Sequence, residues 1–159
     1  MVWAVFGGNT SFLWYPVNEG SEWRWRFVAF ESEAEGQPVQ AWFDSLPEDV
    51  KDEIRDLIRH LEKVTDSLWR RPEFDGLRGE RDISELRPSD VSVEIGGTIE
   101  TFTCRIYGFF GPKNQKNDIY TFLHATKKTV RNDRSGKRIA RNRLAQLERG
   151  NGTIHRFKF

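Results

Sequence analysis

Five side chains in the second half of the chain could do chemistry together. Arg105 sits inside the aromatic run "CRIYGFF" (104–110), and Arg87 closes the short segment "ISELR" (83–87). His124, Lys127 and Lys128 crowd the end of "DIYTFLHATKKT" (118–129). A guanidinium offers a planar fork of donors that matches the oxygens of a phosphate or carboxylate. A lysine beside other cations has its pKa pushed down and can then share proton transfer. His124 is the obvious titrating group, although a histidine at a strand end is also commonly a capped structural residue. Arg105 has a plain structural alternative as well, as the ion-pair partner of an acid such as Glu85.

Other machineries do not fit the residues. There is no G-x-S-x-G segment, and His60, His124 and His155 lack the spacing of metal ligands. Gly136-Lys137 looks like the end of a P-loop, but the earlier glycine that motif requires is Arg131. No metal or cofactor is expected. The single cysteine, Cys104, rules out an intramolecular disulfide and fits a reducing cytosol. A small apolar strand residue is the simpler reading of its role than a reactive thiol. The first apolar run, Met1–Phe6, has no basic residue before it and is too short for a signal sequence. Nothing later approaches a membrane span, so a cytoplasmic protein with no membrane partner is expected.

The 159 residues are 37% hydrophobic and 31% charged, which fits one globular domain. The net charge of +1 hides a segregation. From Glu31 to Asp66 eleven acidic residues stand against four basic, a net of −7. From His124 to Gly150 nine basic residues stand against two acidic, a net of +7. Such opposed fields suit a polyanion at the basic end, or simply attract each other across the fold.

Periodicity supplies the frame for these cations. "WRWRFVAF" (23–30) alternates as a strand, with Trp23, Trp25 and Phe27 on one side and Arg24 and Arg26 on the other. Pro38 opens a helix bearing Val39, Trp42, Phe43 and Leu46. "SLPE" then reads as a capping box from Ser45 to Glu48 for a second helix, whose stripe is Val50, Ile54, Leu57, Ile58, Leu61 and Val64. The two form an antiparallel helical hairpin. After a loop over 72–79, Gly96-Gly97 predicts a type I′ turn that sets Val91 opposite Phe102. Residues 83–110 then read as one long hairpin bent at Pro88, where a one-residue bulge places Arg87 opposite Tyr107. A third strand runs from Asp118 to His124.

Alternation puts Phe102, Cys104, Ile106 and Phe110 on one face and Thr101, Thr103, Arg105, Tyr107 and Phe109 on the other. Arg105 therefore lies on the more polar face, with Arg87 beside it. Ser135 caps a last helix with the stripe Ile139, Ala140, Leu144 and Leu147, stopped by Gly150. "TIHRFKF" supplies a tail or edge strand over 151–159, and residues 1–22 form an aromatic extension of short strands or a docked arm. The order predicts the α+β class, an antiparallel sheet packed against an N-terminal helical hairpin and a C-terminal helix.

Three segments in order, "GLRGERDISELR", "CRIYGFF" and "DIYTFLHATKKT" with a basic helix after it, resemble the RelE/ParE toxin superfamily, specifically its HigB-like, phage-derived branch. The motifs cover residues 76–129, and a looser likeness extends over 24–149. Ala125-Thr126 stands where the family usually has an aromatic residue, and residues 1–22 and 88–100 have no counterpart. The resemblance implies a RelE-like core over 23–150. It also implies the toxin of a type II toxin–antitoxin pair: an endoribonuclease (mRNA interferase) that cuts ribosome-bound mRNA without a metal. A cognate antitoxin, of helix-turn-helix type, is the implied partner. Carried over position by position, the catalytic residues are Arg87, Arg105, Lys127 and Lys128, with His124 beside them. Arg78 is a supporting phosphate contact by the same carry-over. The further basic residues Arg81, Arg131, Arg134, Lys137, Arg138 and Arg141 are RNA-binding candidates by their charge, and at Arg134, Lys137 and Arg138 the chain departs from the acidic residues the family often has.

The chemistry agrees with that class. Attack by the RNA's own 2′-OH needs a proton removed from it, charge neutralised on phosphorus, and a proton given to the leaving 5′-oxygen. Two other readings remain open. One is a gyrase inhibitor of the ParE branch, in which this cationic site is usually depleted. The other is a non-catalytic nucleic-acid-binding or phage-assembly protein of the same fold.

Overall fold

A computed structural model describes residues 25–80 and 82–159. The aromatic extension over 1–22, the first two residues of the expected first strand (Trp23 and Arg24) and Arg81 lie outside the described residues. Strand β1 (Arg26–Glu31) buries Phe27, Ala29 and Phe30 and leaves Arg26 in solvent. Helix α1 (Pro38–Asp44) has its proline in the first turn, where a missing N–H costs nothing, and buries Val39 and Phe43. Helix α2 (Glu48–Glu62) buries Val50, Ile54, Leu57, Ile58 and Leu61 of the expected stripe, while Val64 lies beyond its end and is half-buried. The capping box does not form. Pro47 occupies the N-cap position, and the Ser45 hydroxyl donates to the Trp42 carbonyl at 2.6 Å, so it closes α1 instead of opening α2.

The expected loop over 72–79 contains a strand, β2 (Phe74–Gly76), which pairs antiparallel with β3 (Ser84–Leu86). Aromatic packing outweighs turn composition here, because the Phe74 ring meets Trp69 edge-on at 5.7 Å. Next come β4 (Val91–Ile95) and β5 (Thr98–Phe102), joined by Gly96 at φ 58° and Gly97 at φ 81°. Only glycine adopts two such angles in succession without strain, and the turn sets Val91 opposite Phe102 as expected. After β6 (Cys104–Phe110) and β7 (Ile119–Lys127) the chain forms α3 (Arg134–Glu148) and the edge strand β8 (Thr153–Arg156).

Six strands make one sheet in the order β2-β3-β6-β7-β1-β8, and β4 and β5 stand apart as a two-stranded sheet. The class is mixed α and β, with a mostly antiparallel sheet and three α-helices among the described residues. Fully antiparallel it is not, because β1 and β7 run parallel. A strand followed by helices, not by a tight turn, is free to meet a parallel neighbour.

The register near Pro88 also differs from expectation. Glu85, not Arg87, stands opposite Tyr107, and Leu86 stands opposite Ile106. Proline has no N–H to donate, so the chain leaves the main sheet at that point and no bulge forms there. The irregularity lies instead in β7, where Tyr107 pairs with His124 and Gly108 with Phe122, leaving Leu123 over. Because residues two apart share a face, Arg87 and Arg105 remain on one side of the sheet.

The larger core covers one face, with α1 and α2 packed over Phe27, Leu86, Ile106, Tyr120 and Phe122. The other face is not open, since α3 lies on it and packs Ala140 and Leu144 against Tyr107 and Leu123. Tyr107 is only 1% exposed. Asp133, not Ser135, caps α3 by accepting the Gly136 N–H at 2.8 Å. A Cβ at Gly136 would collide with that carboxylate, so glycine is what lets the aspartate reach. Ile139 and Leu147 are only half-buried, and Arg143 takes a buried place in the stripe. No helix among the described residues is long and apolar enough to cross a membrane.

Candidate functional site

Pairing across β3, β6 and β7 builds one row of side chains on the α3 side: Glu85 beside Tyr107, and Tyr107 beside His124. The next rung carries Arg105 opposite Thr126, and Arg87 extends β3 by one residue. Arg87 donates its Nε to Glu85 Oε1 at 2.8 Å and its Nη2 to the same oxygen and to Asp75 Oδ2. Asp75 is held below the usual carboxylate range, first by its bond from Arg71 and then by the charges of Arg71 and Arg87. Arg105 donates Nη1 to the Cys104 carbonyl at 2.7 Å. Its Nε lies 3.9 Å from Glu85 Oε2, within ion-pair range but too far for a hydrogen bond, and is buried without a partner. Two guanidiniums thus converge on Glu85, a residue that is only 7% exposed.

His124 stacks flat on Tyr107, with ring centroids 6.2 Å apart and planes 6° from parallel. Burial, and after it the neighbouring Arg143 guanidinium, push its pKa down to about 4, so the ring is neutral at pH 7. Arg143 Nη1 lies 3.3 Å from His124 Nδ1 and donates to the Leu123 carbonyl, while its Nη2 bonds Glu35 at 2.8 Å. The Tyr107 hydroxyl donates to Asp133 Oδ2 at 3.0 Å, and burial together with that carboxylate raises its pKa well above the ordinary value. The start of α3 therefore closes over the row.

The structure separates the lysine pair. Lys127 stands opposite Cys104, on the face of the larger core, where its ammonium bonds Glu100 and sits 4.3 Å from the centre of the Phe102 ring. Cys104 beside it is buried, which pushes its thiol up to about 11 and leaves it inert at neutral pH. Lys128 donates its backbone N–H to Thr103 and by alternation returns to the Arg105 side. The residue is half-buried, and its ammonium makes no hydrogen bond or ion pair among the described residues.

The RNA-binding candidates also divide. Arg78, Arg131, Arg134 and Arg138 are exposed, with no side-chain partner among the described residues. Lys137 leans on Asn132 Oδ1 at 3.3 Å, and Arg141 is bound to Glu80 through Nε at 2.9 Å. Arg81 lies outside the described residues.

Glu85, Asp133 and Arg143 complete the site. Glu85 was expected only as the ion-pair partner of a structural Arg105, the contact seen at 3.9 Å, and Asp133 and Arg143 were not expected in it. Arg143 had a legible signal, since a cation falls between Ala140, Leu144 and Leu147 on an apolar stripe. Asp133 had none beyond its place before the helix. Among the described residues no three His, Cys, Asp or Glu side chains come together as a metal site. No known protein-family model, curated protein or solved structure matches this chain.

Proposed function

We propose that the protein is an endoribonuclease with a RelE-like fold that cuts mRNA without a metal, as the toxin of a type II toxin–antitoxin pair. The observation that carries this reading is the convergence of Arg87 and Arg105 on Glu85, with the Nε of Arg105 unbonded. That Nε is itself enclosed against Glu85, but Arg105 Nη2 and Arg87 Nη1 make no hydrogen bond among the described residues and suit a phosphate oxygen that gains charge during the reaction. In the proposed reaction the 2′-OH loses its proton and forms a bond to phosphorus. The P–O5′ bond then breaks and the leaving 5′-oxygen takes a proton from the Lys128 ammonium, which water re-protonates, leaving a 2′,3′-cyclic phosphate and a 5′-OH.

Arg105 and Arg87 stabilise the added negative charge on the phosphoryl oxygens. Lys128, whose ammonium has no partner among the described residues, stands on the same side. His124 is a weak base here, because burial and Arg143 oppose its protonation, and the 2′-OH proton passes to water. The exposed cations along α3 hold the message, on the ribosome in the cell, and a helix-turn-helix antitoxin competes for them through acidic residues.

The test is cleavage of mRNA by purified protein in the presence of a chelator, alongside growth on expression, for wild type and Arg105→Ala. Message cut only by the wild type, with a 5′-OH end, supports the reading. Chelator-sensitive cutting, or equal cutting by both proteins, overturns it.

One observation favours a second reading, a non-catalytic nucleic-acid binder. Arg87 is already matched by Glu85 and Asp75, and Lys127 by Glu100, so the cations free to meet a phosphate include the exposed Arg131, Arg134 and Arg138, which supply affinity without catalysis. RNA bound tightly but left intact would favour it.

A further inference from the structure

We propose that Glu85 is a positioning residue: it holds the Arg87 and Arg105 guanidiniums at the spacing that one phosphodiester group bridges. The inference rests on the endoribonuclease reading and adds a residue to it. Glu85 sits in the middle of the row, opposite Tyr107, on the short strand β3 between β2 and β6. Its side chain is almost fully enclosed, so its two oxygens have fixed directions. Oε1 takes Nε and Nη2 of Arg87, and Oε2 faces Nε of Arg105 at 3.9 Å.

That leaves Arg87 Nη1 and Arg105 Nη2 without a hydrogen bond among the described residues, one donor group from each side of the carboxylate. An ion pair built only for stability would close the Arg105 contact to hydrogen-bond length, because an unbonded buried donor costs about 1–3 kcal/mol. Here the carboxylate grips one arginine and merely attracts the other. An arrangement of that kind keeps both cations in place while a donor stays free for an incoming oxyanion. A glutamine at this position has the same length but cannot attract Arg105 through charge.

The experiment compares wild type, Glu85→Gln, Glu85→Asp, Arg105→Ala and the Glu85→Gln/Arg105→Ala double variant on a synthetic RNA. Glu85→Gln is expected to lower kcat by about tenfold to a hundredfold through misplacement of the arginines, with KM little changed. Glu85→Asp keeps the charge and recovers part of the loss. Adding Glu85→Gln to Arg105→Ala should cost nothing further, because Glu85 acts through Arg105. Additive losses, or an effect on KM alone, overturn the proposal.

A readout independent of turnover separates this claim from the reaction itself. The Nε–H resonances of Arg87 and Arg105 in the NMR spectrum should both move in Glu85→Gln, or in Glu85→Asp if the glutamine variant does not fold. Should the wild type cut no RNA, the endoribonuclease reading fails while moved resonances still uphold the positioning. An unmoved Arg105 signal overturns it.

Discussion

Two neighbouring rungs of the β6–β7 ladder, Cys104 with Lys127 and Arg105 with Thr126, send their cations to opposite faces of one sheet. Each cation has a carboxylate near it and an aromatic strand beneath it. On the Lys127 side the ammonium bonds Glu100 and lies over Phe102, both on β5, so it ties the small β4–β5 sheet to the main one. On the Arg105 side the carboxylate is buried, the contact stays long and a donor remains unbonded. The number of cations is therefore a poor guide to a site. What separates the two faces is whether a charge is already saturated by its own fold.

The sharpest way to break this contrast is to remove the unsaturated cation. Arg105→Ala should cut RNA cleavage by about two to three orders of magnitude, the usual cost of deleting a donor to transition-state charge. Its melting transition should remain cooperative, because the surrounding core of Ile106, Tyr107 and Phe122 is untouched. Kinetics and thermal melts on the same preparation decide it. A variant that cleaves normally, or one that unfolds, makes Arg105 as structural as Lys127.

A second effect is set by pH on the same face. His124 has a folded pKa of about 4 against an ordinary 6.5, so between those values the unfolded chain binds a proton that the folded chain does not. Stability is then expected to fall as pH drops through that window, by about 2–4 kcal/mol in total, and to be independent of His124 above it. The groups facing the ring are Arg143, Asp133 and Glu35, and only Arg143 opposes its protonation. His124→Gln should flatten the slope in denaturant titrations taken across the window.

Much of the frame was legible in residue spacing. The α2 stripe, the Gly96-Gly97 turn and the α3 span follow from apolar periodicity and from backbone angles that only glycine reaches easily. The register at Pro88 was not, because it depends on where β2 pairs, and β2 is held by the rings of Trp69 and Phe110 around Phe74. The site was half legible for a related reason. Alternation put Arg105 on its face, and Arg87 was placed beside it through a bulge that does not form, while a face that is polar by composition turned out to be covered by α3. The side chains that reach across that cover, Asp133 and Arg143, meet Tyr107 and His124 only in three dimensions. The side of Lys127 follows from its pairing with Cys104, and the strand was expected to end three residues before it.

Lys127→Ala tests the other half of the contrast with a smaller effect. Its ion pair is partly solvated, with Lys127 30% and Glu100 44% exposed at the side chain. Losing that pair and the contact over Phe102 should cost about 1 kcal/mol of stability. Cleavage by the folded protein should change little, and Glu100→Gln should behave the same way. A kcat lost as completely as in Arg105→Ala would show that both faces serve one reaction.

The smallest effects concern the cations that hold RNA at a distance. Arg138 is exposed and free of partners among the described residues, whereas the neighbouring Arg141 is already bound to Glu80. A free guanidinium that meets a phosphate releases a counterion, so each such contact steepens the dependence of affinity on salt by about one unit of log–log slope. A guanidinium that must first leave a carboxylate gains less, because one charged partner replaces another. Arg138→Ala is therefore expected to weaken RNA binding a few-fold, equally for all sequences, and to reduce the salt slope by about one. Arg141→Ala should do less, and Glu80→Gln should bring Arg141 up to the behaviour of Arg138. Fluorescence anisotropy over a salt series measures all three. An affinity indifferent to salt would remove α3 from the RNA surface, and an Arg141→Ala loss equal to that of Arg138→Ala would mean that saturation by Glu80 does not survive contact with RNA.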